Sequence, residues 1–169
     1  MKNILLFLAL SSTILFSSCQ GDQGPPGEPG INIYGKVFEA NVTFQYDALN
    51  NLYSNLVTIP NSIEVYESDV ILVYRLGVPA PNGDDVWEPI PQSIFFSNGN
   101  IMQYVFDHTF YDVKLYIDGN FNLSLLNRNY TDNQIFRIAI LPAEYGSANL
   151  TMDDLLQGLQ INPTEIETI

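Results

Sequence analysis

The chain has 169 residues and one cysteine, and its 6 Lys and Arg against 19 Asp and Glu give a formal net charge of -13. That balance excludes recognition of a phosphate backbone, which needs clustered bases, so no nucleic acid partner is expected. A lone cysteine excludes an internal disulfide and a cysteine-ligated metal site, while the length leaves room for one domain with a real core.

The first element is a leader. Lys2 precedes an apolar stretch from Ile4 to Phe16, broken by Ser11, Ser12 and Thr13, which is too short to span a bilayer and has the layout of a secretory signal. It ends in Ser17-Ser18-Cys19, with Phe16 where an aliphatic residue usually stands. This layout predicts cleavage before Cys19 and acylation of its thiol by a diacylglycerol group, so residues 1–18 are read as a lipoprotein signal peptide and the mature chain as membrane-anchored through Cys19. Lys2 leaves with the leader while every acid stays, so the mature protein is more acidic still.

From Gly21 to Gly30 glycine recurs at every third residue, with Pro25, Pro26 and Pro29 between. This is the collagen pattern, in which only glycine fits the crowded axis of three polyproline II strands. Three triplets offer little interchain contact to offset the ordering of three chains. Residues 19–30 are therefore read as a single-chain tether of about 3 nm, and the protein as a monomer in preference to a trimer.

Residues 31–169 read as one β-domain. Phe38, Ala40, Val42, Phe44 and Tyr46 alternate with polar residues, the period of a half-buried strand. Asp47 to Asn51 reads as a hairpin loop, Leu52 to Ile59 as a second strand and Ile63 to Tyr66 as a short third. Val70 to Leu76 is nearly all apolar, as in a strand buried on both faces. After the Pro, Asn and Gly of residues 77–84 come Val86 to Ile90 and Ser93 to Phe96, the latter joined by Asn98-Gly99 to Ile101 to Phe106.

Val113, Leu115 and Ile117 alternate with polar neighbours up to Asp118-Gly119, and Ile135 to Leu141 is the last clear strand. One helix is expected late, capped by Thr151, with Asp153 and Asp154 in its first turn and an apolar stripe of Leu155, Leu156 and Leu159. The pattern predicts an all-β fold, an antiparallel β-sandwich of Greek-key type with one short C-terminal helix.

Candidate chemistry is sparse. Asp118, Asn120 and Asn122 open like a calcium loop, but Leu123 and Asn129 stand where such a loop needs Gly and Glu, so a polar turn is expected. Asp84 and Asp85 form an acidic loop tip beside Trp87 and Glu88. An exposed Trp87 flanked by these carboxylates suits stacking on a sugar ring, whereas a lone tryptophan in an all-β domain is more often inter-sheet core, the position expected here. His108 is the one histidine, without a Gly-x-Ser-x-Gly elbow or partners for zinc, and is read as a surface residue. Asn41, Asn122, Asn129 and Asn149 head N-x-Ser/Thr sequons, read as ordinary polar positions behind a bacterial signal.

The lipobox, the Gly-x-y tether and the segments DVILVYRL (69–76), DVWEPIPQ (85–92) and TDNQIFRIAILPA (131–143) together resemble small collagen-like lipoproteins of Bacteroidota. The resemblance implies carriage to the outer membrane and display at the cell surface. A dihydrolipoamide dehydrogenase label, which such chains can carry, is rejected here: that activity needs a redox cysteine pair and a dinucleotide fold.

The expectation is a non-enzymatic outer-membrane lipoprotein without a cofactor, whose sandwich binds a protein or glycan or fills a structural role. Two alternatives stay open, a small envelope hydrolase working through carboxylates in a cleft, and a calcium-stabilised adhesion or glycan-binding module.

Overall fold

The computed structural model describes residues 35–143 and 150–169. The leader, Cys19, the Gly-x-y repeat and Asn149 lie outside them.

Among the described residues the strands are β1 (Lys36–Val42), β2 (Gln45–Asp47), β3 (Leu52–Thr58), β4 (Asp69–Leu76), β5 (Trp87–Pro89), β6 (Gln92–Phe95), β7 (Ile101–His108), β8 (Asp112–Gly119), β9 (Gln134–Pro142) and β10 (Glu167–Thr168). They form two five-stranded sheets, in the orders β10-β1-β9-β4-β5 and β2-β3-β8-β7-β6. In the second sheet β6, β7 and β8 are neighbours in sequence, and β8 pairs beside β3, whose long connection to β6 runs through β4 and β5 of the first sheet, the Greek-key arrangement. The fold is an all-β sandwich. One pairing departs from the antiparallel expectation, because β10 runs parallel to β1.

Alternation builds the core. Phe38, Ala40 and Val42 of β1, Ile71 and Val73 of β4, and Phe136, Ile138 and Ile140 of β9 face Met102, Tyr104, Val113, Leu115 and Ile117 of the opposite sheet in one buried cluster. The other face of the first sheet is also covered. Val37, Tyr74, Ala139 and Leu141 pack under Met152, Leu155 and Leu156 of the helix α1 (Met152–Leu159). Covering on both sides is why β4 and β9 carry near-continuous apolar runs. Thr151 caps α1 with a full capping box, its side chain accepting from Asp154 N–H while the Asp154 carboxylate accepts from Thr151 N–H.

Two expectations about strands are corrected. The alternation from Phe38 to Tyr46 does not run as one strand: the chain leaves the first sheet after Val42, Phe44 N–H donates to Thr131 O, and β2 joins the second sheet. Inward side chains alternate through the crossing, so the pattern is blind to the change of partner. Residues 63–66 are not a strand either. Ile63 N–H donates to Pro60 O and Asp69 N–H to Tyr66 O, so the backbone is engaged in turns while Ile63 and Val65 pack against the core from a loop.

The Asn98-Gly99 hairpin forms with Phe95 opposite Ile101. Phe96 N–H donates to Asn100 O, and Gly99, at φ +85°, closes a three-residue loop.

Candidate functional site

The residues marked from sequence fall in three separate settings. β5 pairs with β4 so that Leu76 faces Trp87 and Arg75 faces Glu88. This register places Trp87 on the outer face of the first sheet, half-buried beside the α1 cluster, with the Arg137 guanidinium 3.9 Å from its ring centroid. The inter-sheet position expected for Trp87 is therefore corrected, and the reason is its neighbour. Glu88 takes the inward side, where Arg75 Nη2 lies 2.7 Å from its Oε2 and Gln92 also donates to it. Arg75 further donates to Gln92 and Gln134 and lies 4.7 Å from the Tyr104 ring centroid. This knot of side chains ties both sheets together at one end.

Asp84 and Asp85 are exposed in the loop before β5. Asp84 accepts from the Asn82 amide, its N–H donates to Asn82 Oδ1, and Gly83 between them sits at φ +90°. The third setting is the corner after β8. Asp118 accepts from Gly119 N–H, Asn120 Oδ1 from Ile101 N–H at 2.8 Å, and Asn122 Oδ1 from Ser124 N–H at 3.1 Å. Each oxygen serves a backbone donor, the geometry of the polar turn. Gly119 is required by close approach, since a Cβ there would lie 2.9 Å from Ile101 O.

Among the described residues no three His, Cys, Asp or Glu side chains gather around a common point. His108 is exposed at the end of β7, its ring stacked on Phe106.

The structure gathers a different set at the end of the sandwich where β1 begins, β3 ends and β9 ends. There β7 and β8 are joined by a two-residue turn whose tip is Phe110-Tyr111. Thr109 N–H donates to Asp112 O at 2.9 Å, Thr109 Oγ1 to Asp112 Oδ1 at 2.8 Å, and Tyr111 N–H to Thr109 Oγ1 at 3.1 Å.

Two-residue hairpins usually need positive φ at the tip, supplied by Gly or Asn. Here neither tip residue has it, and the Thr109–Asp112 side chains brace the turn instead. Phe110 is 51% exposed and Tyr111 77%. The two rings line an open cleft of about 660 Å³ together with Thr58, Asn61, Glu64 and Val65.

Glu64 also lines a neighbouring groove of about 800 Å³ with Lys36, Tyr66 and Asp69. The Tyr66 hydroxyl donates to Glu64 Oε2 at 2.7 Å, and that bond to a carboxylate pushes its pKa above the ordinary tyrosine value. Tyr66 N–H donates to Asp69 Oδ2. The loop end thus presents exposed ring faces beside carboxylate, amide and hydroxyl groups, a set able to grip a ligand with both C–H faces and hydroxyls.

Sequence reasoning missed Phe110 and Tyr111. The available signal was two aromatics between Thr109 and Asp112, at a strand junction without Gly, Pro or Asn.

A scan of protein-family models finds no match to the chain, and searches of curated proteins and of solved structures return none.

Proposed function

We propose that this chain is an outer-membrane lipoprotein, anchored through Cys19 and displayed at the cell surface, whose sandwich is a non-enzymatic binding domain contacting its ligand through the Phe110-Tyr111 end. The leader layout and the single cysteine support the address. The observation that carries the binding role is the hairpin tip. Turns favour Gly, Asn, Asp and Pro, and two aromatics held out on a braced turn leave apolar surface in water that a purely structural turn has no use for. Carboxylates at this end are engaged by neighbouring hydroxyl and N–H donors, an arrangement suited to contact. The Gly-x-y segment serves as spacer.

The address is tested by metabolic labelling with an alkyne fatty acid and by protease treatment of intact cells. The native chain is expected to take the label and to be shaved, and Cys19→Ala to lose the label. Retained labelling in Cys19→Ala, or full protection of the native chain on intact cells, contradicts the reading.

A further inference from the structure

We infer that the cleft between the segment Thr58–Val65 and the Phe110-Tyr111 tip is a binding site for an uncharged glycan. The inference rests on the binding role proposed above and names its ligand class.

The chemistry of the lining selects the class. Pyranose rings offer C–H faces that lie on aromatic rings, and hydroxyls that donate to carboxylates and accept from amides. The cleft supplies each counterpart: the exposed rings of Phe110 and Tyr111, the Glu64 carboxylate, the Asn61 amide and the Thr58 hydroxyl. Its volume of about 660 Å³ lies within the range of small-ligand sites, about 300–1,000 Å³.

Charge narrows the class further. Among the described residues no Lys or Arg lines this cleft, and the chain carries 19 acids against 6 bases. A uronate, sulfated or phosphorylated polymer would meet repulsion with no cation in the cleft itself to receive it, Lys36 lying in the neighbouring groove. An anionic membrane surface meets the same field, and aromatic tips that dock on such membranes rely on adjacent bases. A neutral sugar pays no such penalty.

The backbone that carries both rings is already fixed by the Thr109–Asp112 bonds, so no loop has to be ordered on binding. Glu64 lies between the cleft and the neighbouring groove, with its Oε2 accepting from the Tyr66 hydroxyl at 2.7 Å.

The test is affinity electrophoresis of the full-length protein in detergent, through native gels cast with dextran, mannan, xylan or galactan, and with alginate as the anionic counterpart. At least one neutral polymer is expected to retard the protein. Tyr111→Ala is expected to weaken that retardation about tenfold, the worth of one stacked ring, and Glu64→Gln to weaken it in the same direction. Leu125→Ala, at an exposed position in the turn that follows the far end of β8, should leave it unchanged.

No retardation by any neutral polymer overturns the inference, as does stronger retardation by alginate or full retention in a folded Tyr111→Ala. Flotation of the Cys19→Ala chain with phosphatidylethanolamine vesicles, lost on Tyr111→Ala, also overturns it and assigns the tip to the bilayer. A chain that is lipid-labelled and shaved from cells yet not retarded sinks the glycan assignment alone, leaving the anchored address standing.

Discussion

Arg137 lies between a ring and a carboxylate, its guanidinium 3.9 Å from the Trp87 centroid and its Nε 2.7 Å from Glu39 Oε1. The two side chains are 8% and 19% exposed, so losing either leaves the other's charge desolvated and unpaired. Arg137→Ala is expected to lower the unfolding free energy by about 3 kcal/mol, read as a lower urea midpoint at unchanged slope.

Tyr104 makes a prediction about alkali. It is buried, donates to Tyr130 O at 2.7 Å, and burial pushes its hydroxyl from the ordinary 10.0 up to about 12. A folded value above the unfolded one gives stability that is fully present below the unfolded value and lost as pH rises through the folded one. Stability should therefore fall from pH 10 towards 12, and Tyr104→Phe should fall less steeply across that window. Tyr116, raised likewise by its bond to Asp107, remains in the variant, so the slope is reduced and not abolished.

At the scale of elements, α1 is the piece most fully legible in the sequence, because cap, first-turn acids and apolar stripe all lie within a few residues of one another. Leu155 is fully buried against the outer face of the first sheet, and Leu155→Ala should cost about 3 kcal/mol. Donors from Thr151 hold the Asp154 carboxyl below its ordinary 3.8. That support is present above the ordinary value and lost as pH falls through the depressed one. Protection of the first-turn amides of α1, taken relative to their intrinsic exchange rates at each pH, should fall below about pH 4, and in Asp154→Asn it should lose this pH dependence.

Strands are legible by period but not by partner. The alternation of Val113, Leu115 and Ile117 reads directly as one buried face, whereas the equally regular run from Phe38 to Tyr46 hides a change of sheet. Residues 63–66 show the same limit, with half-buried and exposed side chains alternating on a backbone engaged in turns. Trp87 was misplaced because the face of a three-residue edge strand is set by the Arg75–Glu88 pair across the register, a long-range fact. The Phe110-Tyr111 tip is not legible because its two central residues are aromatic, with no Gly, Asn or Pro between Thr109 and Asp112 to mark a turn.

For the whole molecule, the sandwich has two unlike ends. One is closed by the Arg75, Glu88, Gln92 and Gln134 knot; the other carries the aromatic tip, the two grooves and the start of β1. β8 separates the ends by its 8 residues, about 25 Å of extended chain, so ligand contact at one end leaves the other untouched. The formal net charge of -13 opposes the approach of anionic polymers, and the proposed glycan site therefore depends on rings and oxygen groups.

The most direct measurement of this account is photo-crosslinking on intact cells from a photoreactive phenylalanine analogue at position 111, compared with the same analogue at position 125, where Leu125 is 79% exposed at the opposite end. A discrete crosslinked species is expected from position 111 and none from position 125. Equal crosslinking from both positions, or capture from 125 alone, would contradict it.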